Sequence, residues 1–191
     1  SNYISYFVHS MLKKYGDMDI FIFDDYKKKL STLAEQVDNV FYELRSEECK
    51  DALLNIDLCM QNRYQELISG QEISGKWEVL IINNEEVITQ ISNDKIMLAQ
   101  FKNIIGKYHM LKVYVILGEI PNVQVVYGAP EIYKLVKESR HILFFDDLDN
   151  CKLIDIPLTI VRNNKKKIKK GDAYYINGNE CHKVKTPLSV N

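Results

Sequence analysis

Near the N-terminus Tyr3, Phe7, Met11 and Leu12 recur at helical spacing, and the pattern stops at Tyr15-Gly16, where glycine can take the left-handed conformation that ends a helix. Residues 18–23 form an almost unbroken apolar run closed by Asp24-Asp25, which predicts a strand buried on both faces of a parallel sheet. A short helix is expected over 27–36 and a brief strand over 40–42. The strongest helical pattern spans 47–68, where Leu53, Ile56, Met60, Tyr64 and Leu67 form one stripe and early acidic residues suit the helix dipole. After Ser69-Gly70 a polar loop leads into a second apolar strand, 77–82, with Asn83-Asn84-Glu85-Glu86 read as the polar turn at its end. A helix over 94–109 presents Met97, Phe101, Ile104, Ile105 and Tyr108 on one face, and 111–117 is the third core strand. Strands alternating with helices through right-handed crossovers build a mainly parallel α/β sheet with helices on both sides.

Beyond Pro121 the segments shorten: 123–127, a helix near 129–137, and apolar runs at 142–145 and 158–161. The last strands, 173–176 and 182–184, are joined through Asn177-Gly178-Asn179, a good hairpin turn. No repeat, linker or low-complexity segment divides the chain. It reads as a single domain over 1–191, with its core at 3–120 and terminal strands and hairpin at 121–191.

The 191 residues are 46% hydrophobic and 27% charged, which places the chain among globular domains with one core and outside disordered or fibrous classes. Lys+Arg 25 against Asp+Glu 26 leaves no global field that would steer the protein onto nucleic acid or an anionic membrane, so nucleic acid is a disfavoured partner. Cys49, Cys59, Cys151 and Cys181 are widely spaced, without C-x-x-C, and read as reduced cytosolic thiols. No apolar run approaches the roughly 20 residues that span a bilayer. Ser1-Asn2 resembles a tag remnant more than a signal peptide, so the chain reads as an excised piece of a larger intracellular protein.

Candidate chemistry is sparse. Gly70-Gln71-Glu72-Ile73-Ser74-Gly75-Lys76 fits the phosphate-loop pattern G-x-x-x-x-G-K, but Trp77 stands where a magnesium-binding Ser or Thr belongs. The stretch also leaves a helix and enters a strand, the reverse of a phosphate loop, and reads as coincidence. Val79-Leu80-Ile81-Ile82 followed by Asn83-Asn84 has the shape of the second nucleotide motif without its carboxylate. A neutral amide neither accepts a proton nor balances a divalent cation, and Glu85 or Glu86 could substitute only through a slipped register. The run Lys165-Lys166-Lys167-Ile168-Lys169-Lys170 reads as a solvated loop, and Asp146, Asp147 and Asp149 as a strand-end turn lacking calcium-loop spacing. His9, His109, His141 and His182 stand alone, so no metal site is indicated, and no nucleophile motif is present.

The order of these pieces carries more than any one of them. A strand ending Phe23-Asp24-Asp25-Tyr26-Lys27, then Leu30, then a long helix with Met60-Gln61-Asn62-Arg63-Tyr64 resembles the FtsK/SpoIIIE family of hexameric translocation motors, which has an Asp-x-Lys element, a Met-x-x-Arg-Tyr-like helix and then the Walker B strand. The match runs through Leu117, with Gly118 and Glu119 at the family's sensor position. Tyr127-Gly128-Ala129-Pro130-Glu131-Ile132, the run from Ile142 to Asp147, Ile156-Pro157-Leu158 and Gly171-Asp172-Ala173-Tyr174-Tyr175-Ile176 resemble the C-terminal ATPase-like module of Gram-positive type VII secretion motors.

This resemblance implies a RecA-like three-layer sandwich of the P-loop NTPase type, with the phosphate-loop element lying before Tyr3 and so missing from the chain. It implies Asp24 and Asp25 close to a nucleotide, a degenerate Walker B region at Asn83, Asn84, Glu85 and Glu86, and Glu119 as sensor residue, with no catalytic residue. It further implies no cofactor bound by this chain alone, with ATP and magnesium left to the intact protein. The implied partners are secreted helical-hairpin substrate proteins and neighbouring ATPase modules of the same chain, in a hexameric, membrane-anchored motor whose cytoplasmic part this would be. The expected role is non-hydrolysing substrate recognition or regulation of an upstream ATPase. Two alternatives stay open: an ATP-hydrolysing module using Glu85 or Glu86, and a DNA translocase module using the lysine run.

Overall fold

The structure, a computed structural model, describes residues 2–138, 141–164, 167–178 and 180–186. Its contacts divide the chain into two compact units, Tyr3–Ile120 and Pro121 onward.

In the first unit the apolar runs become strands because each is flanked by residues that stop it. Helix α1 (Asn2–Tyr15) ends where Gly16 takes φ 78 and its amide bonds the Leu12 carbonyl. Strand β1 (Met18–Asp24) follows, then α2 (Ser31–Gln36), β2 (Val40–Glu43), α3 (Cys49–Ile68), β3 (Trp77–Asn83), α4 (Glu85–Asn93), α5 (Lys95–Lys102) and β4 (Val113–Leu117). The strands lie in the order β2-β1-β3-β4, all parallel, with Asp24 opposite Asn83 at the end of the β1–β3 register. This is the RecA-like α/β sheet flanked by helices that the sequence leads one to expect.

Period-two alternation sorts the two faces. Met18, Ile20, Ile22, Val79 and Ile81 form one core with Ile4, Val8 and Met11 of α1 and Leu30 and Leu33 at α2. Phe23, Leu80 and Ile82 are buried on the opposite face, where α3 supplies Leu53, Ile56 and Met60 and packs against α5. Arg63 and Cys59 of α3 both reach Glu78 of β3, which fixes α3 on that second face.

Three details depart from the expected elements. The helix predicted over 27–36 begins only at Ser31, because the Leu30 amide is taken by the Asp24 carboxylate and Lys28 sits at φ 51. The polar turn after β3 is one residue long: Asn84 caps α4, a helix the pattern does not predict, by accepting the amides of Glu86 and Val87. The helix expected over 94–109 passes after Lys102 into a π-helical turn, Asn103–Lys107, closed by Tyr108 donating to the Asn103 carbonyl, and Lys107 then lies over the Tyr64 and Tyr108 rings.

At the amino end of the sheet a buried guanidinium gathers loose backbone. Arg63, 3% exposed, donates to the carbonyls of Leu111, Lys112 and Lys76 and pairs with Glu78 at 3.1 Å. Burial pushes the Glu78 carboxyl up, and Arg63 opposes that shift.

In the second unit, α6 (Glu131–Glu138), β5 (Ile142–Phe144), α7 (Leu158–Asn163), β6 (Asp172–Asn177) and β7 (Glu180–Lys185) follow, with an antiparallel sheet in the order β5-β6-β7. The run 158–161 is helical, and Val123, Val126 and Tyr127 are exposed, with residues 123–127 outside any helix or strand. Of the predicted hairpin turn, Asn179 lies outside the described residues, as do Lys165 and Lys166 of the lysine run. Lys167, Lys169 and Lys170 are exposed. Asp146 accepts from the Asn150 side chain four residues on, the contact of a turn, whereas Asp147 reaches across to accept the Ile168 amide. Lys183 (2.9 Å) and Lys185 both pair with Asp172, whose carboxyl they hold well below the usual range, Lys185 contributing most.

Two outcomes follow for stability. Arg63→Met, which leaves a buried carboxylate and three carbonyls without their donor, is expected to lower the unfolding free energy in urea by about 3–5 kcal/mol. Glu78→Gln should cost clearly less, because the guanidinium keeps its carbonyls; equal losses would show that those carbonyl bonds contribute nothing. Because Asp172 titrates lower when folded, its contribution is complete above the ordinary value of 3.8 and is lost as pH falls below it. Thermal melts carried down through the carboxylate range should show this acid-side loss in the native chain and a smaller one in Asp172→Asn.

Candidate functional site at the carboxyl ends of the sheet

A parallel sheet offers its binding crevice where successive crossovers leave in opposite directions. Here β1 continues through α2 on one face, and β3 continues through α4 and α5 on the other. The crevice therefore lies between the ends of β1 and β3, and the residues that end these strands are Asp24 and Asn83.

Asp24 has no solvent exposure, and its carboxylate is saturated. One oxygen accepts from Asn83 Nδ2 at 2.8 Å and from the Asp25 amide at 2.9 Å. The other accepts from the Leu30 amide at 2.7 Å and the Tyr42 hydroxyl at 3.0 Å. Burial, and then this bond to Asp24, push the Tyr42 hydroxyl up out of its ordinary range. A carboxylate has about four lone-pair sites, and donors from two strands and a loop fill them all.

Asn84 is equally committed. Its oxygen accepts the Glu86 and Val87 amides, while its nitrogen donates to the Asp24 carbonyl at 3.0 Å and the Leu44 carbonyl at 3.2 Å. Asn83 Oδ1 is buried without a hydrogen-bond partner and lies against Gly118, where a Cβ would come within 2.5 Å of it and within 2.9 Å of Ile4 Cδ1. The chain thus leaves β4 through a residue that must be glycine for lack of room. Glu119 follows at φ 50 and pairs with Lys29, and that contact is the first cause raising the Lys29 ammonium.

Asp24, Asn83 and Asn84 are therefore in direct contact, whereas Glu119 stands at the rim with Lys29. Asp25 caps the following turn by accepting the Lys27 amide, and Glu85 and Glu86 are exposed in the first turn of α4. The sequence pattern does not reveal Tyr42, Leu44 and Lys29 as members of this site, whereas Leu30 and Gly118 enter it only through the resemblance, without the contacts they make. A magnesium-bound nucleotide does not fit these strand ends: both oxygens of the one buried carboxylate are fully used, and its two neighbours are neutral amides.

The stretch from Gly70 to Lys76 is built against phosphate as well. Its Ile73, Gly75 and Lys76 carbonyls face the cations of Lys112 and Arg63, and the Ser74 amide and hydroxyl are taken by the Glu66 carboxylate. A phosphate cradle needs converging, unused amides.

No protein-family model and no curated protein matches the chain. Solved structures do. EssC (ATPases 2 and 3) from Geobacillus thermodenitrificans superposes with a TM-score of 0.76 at 21% identity, covering 97% of this chain and 34% of that one. The cytoplasmic domain of EssC gives 0.72 at 19% identity, covering 97% and 36%. The cytoplasmic domain of the Thermomonospora curvata type VII secretion ATPase EccC gives 0.68 at 14% identity, covering 100% and 22%. The chain thus spans about a third or less of the proteins it is similar to, and at these identities the likeness establishes the fold alone, that of the EssC ATPase domains.

Asp24→Asn replaces an acceptor by a donor that must face one of four existing donors, and is expected to destabilise the chain by about 1–3 kcal/mol. Chemical denaturation measures it. A neutral result would mean that the carboxylate is not what holds the strand ends.

Proposed function

From an EssC-like ATPase fold we propose that this chain is a non-hydrolysing motor module of a type VII protein secretion ATPase, serving substrate recognition or regulation of a neighbouring ATPase module. The observation that carries this reading is the saturated Asp24 carboxylate, flanked by Asn83 and Asn84 where a metal-binding acid would be needed. A crevice sealed by its own hydrogen bonds leaves surface, rather than chemistry, as the means of action. Further support comes from the neighbours, which are parts of type VII secretion motors containing more than one ATPase. In that setting the partners are other ATPase modules, arranged in a hexamer, and secreted helical-hairpin proteins whose apolar faces dock in grooves. The module works on the cytoplasmic side of a membrane-anchored protein. No helix among the described residues is long and apolar enough to cross a membrane.

Calorimetric titration of magnesium-ATP into this chain, and into a version carrying the natural sequence that precedes Tyr3, tests the reading. No binding heat in either is the expected result. Binding by the longer version that disappears in Glu85→Gln/Glu86→Gln would replace it with the ATP-hydrolysing alternative, in which an acid from the first turn of α4 serves the metal.

A further inference from the structure

The loop between β1 and α2, residues 25–30, is held far more tightly than its exposure requires. The Asp25 amide bonds Asp24, the Lys27 amide bonds the Asp25 carboxylate, and the Lys28 amide bonds the Asp25 carbonyl, all at 2.9 Å. The Leu30 amide bonds Asp24, the Ser31 amide and hydroxyl both reach the Lys28 carbonyl, and Lys29 is tied to Glu119. Lys28 is kept at φ 51, a conformation that costs a residue with a side chain and that persists only where its surroundings dictate it.

What this rigid frame presents is a tyrosine between charges. Tyr26 is 73% exposed, and Lys27 and Lys28 are exposed with no acidic partner among the described residues. Of the three consecutive lysines, only Lys29 is neutralised. Nothing in the packing of the first unit needs Tyr26, Lys27 or Lys28 outside. A held loop backbone that carries an exposed aromatic ring and two unneutralised ammonium groups is suited to binding, because the backbone's share of the ordering cost is met before a partner arrives. It also stands at the carboxyl ends of the strands, where this class of sheet places its recognition loops.

We propose that Tyr26, Lys27 and Lys28 form a preorganised docking knob for an acidic protein segment. Charge decides the partner's class. Lys27 and Lys28 call for carboxylates, and Tyr26, next to them in the loop, offers a flat apolar face. A continuous polyanion such as nucleic acid fits less well: Asp25 and Glu86 lie on the loop and the helix start that leave the same sheet end and would repel an unbroken phosphate backbone, whereas a short segment with two carboxylates need reach only Lys27 and Lys28. The proposal extends the docking role above, and its test involves no nucleotide, so the two readings fail separately.

Fluorescence anisotropy of a labelled peptide with two glutamates beside a leucine in an otherwise neutral glycine-serine sequence, titrated with this chain at low and raised salt, provides the test. Lys27→Glu/Lys28→Glu is expected to weaken binding about ten-fold. Lys28→Gly removes one charge while relaxing the left-handed backbone, so it cannot act by unfolding, and should weaken binding about three-fold. The charge-matched control Lys167→Glu/Lys169→Glu, in the second unit, should leave binding unchanged. Full affinity in Lys28→Gly, an equal loss in the control, or tighter and Tyr26-dependent binding of a single-stranded oligonucleotide of equal charge would each overturn the proposal.

Discussion

A carboxylate removed from water must find hydrogen-bond donors equal to its charge, and Asp24 finds four. Those donors come from β3, from the β2 edge strand and from the loop that follows β1, so one side chain sets where three strands stop and where α2 begins. The rest of the carboxyl end is arranged around that demand. Asn83 is an amide because a donor is needed opposite Asp24, and a second carboxylate at 2.8 Å would place two like charges in a dry site. Asn84 completes the arrangement by tying the Asp24 carbonyl to the cap of α4.

The amino end of the sheet solves the inverse problem. There β3 and β4 begin beside loops whose carbonyls point inward, and Arg63, a buried cation with several donors, collects three of them together with Glu78. Gly75 approaches so closely that a Cβ would sit 3.0 Å from the guanidinium. A stretch that matches a phosphate-loop pattern on paper is therefore a lid over an arginine. Both ends of the sheet are locked by a single ion that satisfies backbone groups left over where regular pairing ends.

Locking has a functional counterpart. A nucleotide switch requires polar groups that are free in one state and engaged in another. At the ends of β1 and β3 the Asp24 carboxylate and the Asn84 amide are already engaged, and on the proposed reading it is the exposed loops that meet a partner. The β1–α2 loop is the clearest of these, since the same Asp24 that closes the crevice also holds that loop in place.

Much of the fold was legible from local pattern. Unbroken apolar runs at 18–23 and 77–82 can be buried only in a parallel sheet covered on both faces, and the stripe Leu53, Ile56, Met60 can face only a core, so the core strands and the place of α3 follow from residue order alone, while α4 and the start of α2 do not. Asp24, Asn83 and Asn84 were also visible as polar residues ending apolar strands. Their partnership was not, because Asp24 and Asn83 lie 59 positions apart and only the pairing of β1 with β3 brings them into register. Local pattern likewise cannot say that Arg63 would be buried while Leu67 is exposed, since hydrophobicity ranks them the other way and the outcome rests on carbonyls contributed by three distant residues. The sequence determined which segments could be strands and helices, because periodicity is a property of neighbours along the chain. Only the tertiary structure decided which polar groups would satisfy one another, because a buried charge is balanced by whatever the fold brings within about 3 Å of it.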